Sequence, residues 1–144
     1  MVEQNVSNHS RFVPGYHFIV STAILALLVG SGINVVEACN EKDGFYSASL
    51  ICLISVVLLI LWWYTRVFAL KAQDRAIRAE ENLRHFAMTG KLLDSRLRMG
   101  QIIALRFASD DEFVELAKKA ADEQMAPKAI KMAIKNWRAD NNRA

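Results

Sequence analysis

The side chains able to do chemistry are few and far apart. Three histidines, His9, His17 and His85, and two cysteines, Cys39 and Cys52, are the obvious metal ligands of this 144-residue chain. Neither His9 nor His17 has a cysteine or carboxylate at ligand spacing, so they read as solvated or interfacial residues. Cys39 and Cys52 are separated by a loop and half of an apolar stretch, which predicts neither a disulfide framework nor a CxxC metal pair. Asp110-Asp111-Glu112 could support acid–base or divalent-ion chemistry. Three acids behind Ser109 are better explained as a helix start, where capping and the helix dipole both favour negative charge. There is no P-loop, dinucleotide-binding glycine pattern, nucleophile elbow or paired-histidine metal helix. The sequence therefore predicts no catalytic residue, no cofactor, no metal and no small-molecule substrate, and it does not read as an enzyme.

Charge gives a different signal. Lys128, Lys131, Lys135, Arg138 and Arg143 are opposed near the end of the chain only by Asp140, and the sequence pI is about 9.0. Nucleic-acid surfaces interleave such cations with aromatic rings. Trp137 is the sole aromatic here, so a face toward anionic lipid or an acidic partner is expected, with no nucleic-acid partner.

The elements that must position these residues follow from hydropathy. The chain is 53% hydrophobic yet 23% charged, and the two kinds of residue are segregated. Phe18–Val36 and Phe45–Thr65 carry no charge. As helices they would each span roughly 28–32 Å, matching a hydrocarbon core of about 30 Å. Backbone polar groups must be satisfied internally in lipid, so helix is the required form. The alternative, a buried core helix, would need more polar sequence to cover it than this chain has. Val36-Glu37-Ala38-Cys39 faintly resembles a lipoprotein cleavage box, but Glu37 does not fit, and the apolar run exceeds a cleaved signal's usual length of about 7–15 residues. We read it as a retained helix.

Orientation follows from the basic residues. The 37–44 loop holds Glu37, Glu41 and Asp43 against Lys42, whereas Arg66, Lys71, Arg75, Arg78 and Arg84 follow the second span and Arg11 precedes the first. This bias places the loop outside and both termini in the cytoplasm. Phe12 and Tyr16 mark one interface, Phe45 and Tyr46 the other. Trp62, Trp63 and Tyr64, with Arg66 and Lys71, are expected to anchor the second span at headgroup depth. Thr22, Ala26, Gly30 and Asn34 recur every four residues and predict a helix-packing face. Its simplest use is packing against the second span through Ser47, Ser55 or the Ala48/Cys52 edge. A homodimer seam or a substrate path is the sharper alternative. No ionisable residue lies deep in either span, which argues against a proton relay.

The expected organisation is all-α: a cytoplasmic segment 1–17, spans 18–36 and 45–65 around loop 37–44, a helical stalk 66–90, and a small helical head 91–144. Asp74 with Arg78 and Glu80 with Arg84 are favourable pairs along the stalk. Leu70, Ile77, Leu83 and Phe86 form a ragged stripe that predicts no long coiled coil. Gly90 fits a helix C-cap. In the head, Leu97–Ala108 reads as a helix with strand as the alternative. Ser109 and Glu112 predict a capping box for a helix burying Phe113, Leu116 and Ala120. Pro127 opens a last helix in which Ile130, Ile134 and Trp137 recur at helical spacing. The two helices should close as an antiparallel pair, with Phe113, Leu116, Ile130, Ile134 and Trp137 as core or interaction residues.

Asn8-His9-x-Arg11 with Pro14 and His17-Phe18, Leu83-Arg84-x-Phe86 with Thr89-Gly90-Lys91, Gly100-Gln101-Ile102 through Leu105-Arg106-Phe107-Ala108-Ser109-Asp110, and Ile134-Lys135-Asn136-Trp137-Arg138 together resemble a family of small, uncharacterised bacterial membrane proteins of Bacteroidetes type. The likeness covers nearly the whole chain and is weaker across the spans. It implies two transmembrane helices and a helical cytoplasmic C-terminal region, and transfers no activity. The expected role is a membrane-anchored interaction module or accessory subunit in the bacterial inner membrane. Its partners would be anionic headgroups and itself or a larger membrane complex. The alternative is a small oligomeric channel or transporter component.

Overall fold

A computed structural model describes residues 13–140. Asn8, His9, Arg11, Phe12 and Arg143 lie outside the described residues. The fold is all-α, and among the described residues it forms two compact units, 13–69 and 70–140.

In the first unit, Pro14 precedes a π-helical segment, Gly15–Val20, that runs into α1, Ser21–Glu41. Proline suits this position because its missing N–H is one the first turn leaves unpaired anyway. The helix therefore continues through Glu37 to Glu41, past the end expected at Val36. Glu37 does not stop it, and the turn shortens to Lys42-Asp43-Gly44. Lys42 and Gly44 both have positive φ, 59° and 64°. Glycine takes that conformation freely, and the Asp43 carboxylate accepts the Gly44 N–H at 2.8 Å. α2 then runs unbroken from Phe45 to Thr89, and its continuity past Thr65 agrees with the absence of Pro and Gly. Both helices are long and apolar enough to cross a membrane.

The seam between them is not the expected one. Thr22, Ala26, Gly30 and Asn34 are all exposed, and a Cβ added at Gly30 would meet nothing within 4 Å. Ser21, Ile24, Leu28, Ser31, Val35 and Ala38 are covered positions of α1 that recur at three and four residues, with Gly32 half-buried beside Ser31. Ser31 and Ser55 are buried, and their hydroxyls meet at 3.0 Å. Each also lies within reach of a carbonyl of its own helix, Ser31 of Leu28 O and Ser55 of Cys52 O, so one hydroxyl donates across the seam while the other donates within its helix. Intrahelical bonding is what lets a serine hydroxyl sit in an apolar seam at low cost. Near the other end, Tyr16 stacks on Trp62 at 5.6 Å with planes 14° apart, and its hydroxyl donates to the Trp62 carbonyl. Size alone favoured the Gly30 face. A three-four spacing with a hydroxyl pair won because it keeps one stripe in register along both helices.

The second unit comprises the end of α2 and three short helices: α3 (Met99–Leu105), α4 (Asp110–Asp122) and α5 (Pro127–Ala133). Leu97–Ala108 is thus helical at its centre, and Gly90 takes φ 72° with its N–H on Phe86 O at 2.7 Å, as a C-cap requires. Two expectations fail here. Ser109 caps nothing with its side chain; Glu112 turns away and accepts the backbone N–H groups of Lys135 and Asn136 at 3.0–3.2 Å. And α5 ends at Ala133, with Ile134 extended, so Trp137 is not on a helix. Trp137 instead forms an isolated antiparallel bridge with Ala108, closed by Arg138 N on Phe107 O and Ser109 N on Asn136 O. Asn136 and Trp137 break the helical period because the orphan backbone groups after α3 need partners.

The seam can be tested by substitution. Ser31→Leu should destabilise the hairpin in detergent, and Ser55→Ala should cost about 0.6 kcal/mol, the usual worth of an interhelical hydrogen bond in lipid. Gly30→Leu should leave the melting temperature unchanged. A Gly30 effect as large as that of Ser31 would place the seam on the other face.

Candidate functional site

The densest polar arrangement lies in the second unit, where α2 meets the head. Ile77 and Glu81 are buried, with Gln73, Arg84 and His85 half-buried on the same side of α2. Arg84 is the hub. Its Nη1 donates to Glu81 at 3.1 Å, its Nε to Asp110 at 2.7 Å, and its Nη2 to the Ala108 carbonyl at 2.8 Å. The guanidinium carbon lies 4.2 Å from the centre of the Phe113 ring, and His85 meets the same ring edge-on at 6.0 Å. A planar fork with five donors can serve three acceptors and a π-face at once; a lysine ammonium cannot. The sequence suggested Glu80 as the partner of Arg84, but the pairing is with Glu81, which the packing of α2 turns inward.

Below this hub sits one apolar core. Phe113, Leu116, Ile130 and Ile134 are buried in it together with Ile102, Leu105 and Phe107, and Trp137 packs half-buried against it. The Trp137 ring tilts over Phe107 at 4.9 Å. Gly100 lies in the first turn of α3, where a Cβ would stand 3.2 Å from the Pro127 ring. Gln101 is buried too: its carbonyl takes the Arg98 N–H at 2.7 Å and its amide donates to Met125 O at 2.9 Å. Four of the five head residues expected from sequence thus lie in the core, with Trp137 against it. The expected antiparallel pairing of the last two helices gives way to packing of α4 and α5 on α3 between them.

Beside the hub, Gln73, Ile77, Glu80, Glu81, Arg106, Arg138 and Asp140 line a cleft of about 280 Å³. Arg106 is 6% exposed, lies 3.2 Å from the Asp140 carboxylate and packs over Phe107. The Gln73 carbonyl is buried without a hydrogen bond among the described residues. Three carboxylates, Glu80, Glu81 and Asp140, and two guanidinium groups, Arg106 and Arg138, share this cleft, which suits ion pairing and hydrogen bonding. Among the described residues no three His, Cys, Asp or Glu side chains come together as a metal would need. Sequence reasoning passed over Arg106, although a lone cation within Ile102–Ala108 is itself the signal of a partnered buried charge.

The remaining expected residues belong to the first unit or its edge. Trp62 is half-buried under Tyr16, while Trp63 and Tyr64 are exposed, with Tyr64 beside Phe68 at 5.4 Å. Arg66 is half-buried and Lys71 exposed.

The chain belongs to a family of unknown function, DUF6526, whose model matches residues 1–144. No curated protein and no solved structure matches it.

Two measurements probe the head. Arg84→Met would strand the Glu81 carboxylate in the core and should cost about 3–5 kcal/mol, read by denaturant unfolding of the full chain. Adding Glu81→Gln should recover much of that loss; strict additivity would mean the two side chains do not interact. Independently, the Arg96 guanidinium binds the Asp94 carboxylate at 2.7–3.1 Å and holds its pKa at about 2. A depressed carboxylate stabilises the fold above its ordinary value of 3.8 and loses that contribution as pH falls toward 2. The Asp94 carboxyl resonance should therefore titrate near pH 2 and move up toward the ordinary range in Arg96→Gln, which removes the guanidinium and keeps the backbone N–H bond to the carboxylate.

Proposed function

We propose that this member of the family is an integral membrane protein whose hairpin anchors a helical interaction module, serving as a scaffold or accessory subunit. The observation that carries the reading is the uncovered apolar surface of the first unit. Leu25, Val29, Leu53 and Leu61 are 62%, 56%, 58% and 54% exposed. Soluble monomers rarely expose contiguous apolar patches beyond a few hundred Å². Two helices that bury one narrow stripe of each other leave the rest for lipid. The basic residues after Thr65 favour a cytoplasmic head and an external turn at Lys42–Gly44, in the inner membrane of a bacterium. Anionic headgroups would meet Arg66 and Lys71.

A second reading, a small oligomeric channel or transporter component, is favoured by one observation. Thr22 and Asn34 are exposed on α1, and a polar side chain facing lipid seeks a partner across the bilayer plane.

The protein should resist alkaline carbonate extraction from membranes. Cys39, exposed near the end of α1, should react with an impermeant maleimide in intact spheroplasts, and Cys39→Ser should abolish that labelling. Labelling only after lysis would invert the topology. Solute flux through vesicles holding the purified protein would favour the second reading.

A further inference from the structure

We propose that a second copy of this chain docks on α2 residues 72–86, forming a parallel helical dimer of the stalks; this rests on the membrane-anchored reading above. The head covers one side of this part of α2, where Ile77 is 6% and Glu81 5% exposed. Among the described residues the other side is exposed, with Ala76 and Glu80 at its edge bordering the cleft beside the head. Ala72, Ala76, Ala79, Leu83 and Phe86 recur at four, three, four and three residues and are all exposed, Leu83 by 67% and Phe86 by 51%. That is the spacing of a coiled-coil seam. The ragged stripe seen in the sequence had mixed two faces, because Ile77 belongs to the head.

Charge names the occupant. With Ala76 and Leu83 at the first core position of successive heptads, Arg75 and Glu80 flank the seam on opposite edges, five residues apart. In a parallel pair, that offset sets each Arg75 beside the partner copy's Glu80, giving two reciprocal ion pairs across one seam. Both side chains are exposed, and neither forms an ion pair among the described residues. Two copies inserted in one bilayer with the same orientation can only bring their stalks together in parallel, so anchoring and charge pattern ask for the same arrangement. The alanines let the backbones approach to about 8 Å, and Leu83 and Phe86 supply the large apolar contacts.

The test uses the full-length protein in membranes, with Cys39 and Cys52 replaced by serine and single cysteines introduced. Oxidation should link Ala76→Cys and Leu83→Cys into dimers and leave Arg78→Cys, off the seam, monomeric. Arg75→Glu should lower dimer yield roughly five- to tenfold, because both attractive pairs become repulsive. Arg75→Glu with Glu80→Arg should restore it. Equal linking at all three cysteines, no linking at any, or no rescue by the double reversal would overturn the proposal. So would an adduct of another mass at Leu83→Cys, which would seat a different protein on this face. Carbonate extraction of the same samples separates the two failures. A protein released into the supernatant refutes the membrane anchor, whereas one retained but unlinked refutes only the dimer.

Discussion

A guanidinium taken out of water must be matched on every side, and Arg84 shows how much of a small fold can be organised by meeting that demand. Glu81 lies one turn back on the same helix, Asp110 stands at the first residue of α4, the Ala108 carbonyl ends the segment before it, and Phe113 offers a ring face. The partners come from α2, from the segment after α3 and from the first turn of α4, so satisfying the one cation fixes where α4 starts against α2. The acids of the α4 first turn gain a second use through it: they favour the helix dipole, and Asp110 also meets the cation. The apolar core below would be shapeless without such a constraint, since alanines and aliphatic chains pack in many ways. Directional bonds choose among them.

Much of this was visible in the residues. Apolar runs, the glycine after Thr89, the serine before three acids and the proline after Ala126 each mark a helix end by a local physical rule, and the helices begin or end there. What the sequence concealed depends on partners distant along the chain. Thr22, Ala26, Gly30 and Asn34 look like a packing face because they are small. Ser31 and Ser55 win because their hydroxyls can satisfy each other. Trp137 continues a helical period in the sequence, yet the backbone around Ala108 claims it for a bridge. Glu112 sits at capping distance from Ser109, yet two N–H groups from the C-terminal segment are better donors for a full carboxylate. In each case a local rule lost to a nonlocal hydrogen bond.

The two units meet the same shortage of covering surface in different ways. In the first, apolar area far exceeds what one neighbouring helix can hide. In the second, three short helices and a bridged segment cover one side of α2, and the charged side chains are drawn into pairs. A single long helix therefore carries residues selected for three environments along its length and around its circumference, which explains why its apolar pattern looks irregular as one string.

The ties that close the head also share a length scale. Glu112 reaches Lys135 across 23 residues, Gln101 reaches Met125 across 24, Arg84 reaches Asp110 across 26, and Arg96 reaches Asp122 across 26. Loops of such similar size carry nearly the same closure entropy, since that cost grows only with the logarithm of length. No contact in this set has to wait for a far terminus. At about 5–20 residues per second of synthesis, each tie becomes available within seconds of its first partner. The head can thus assemble in order along the chain, each closure narrowing the search for the next, while the helix that carries Arg84 is already formed.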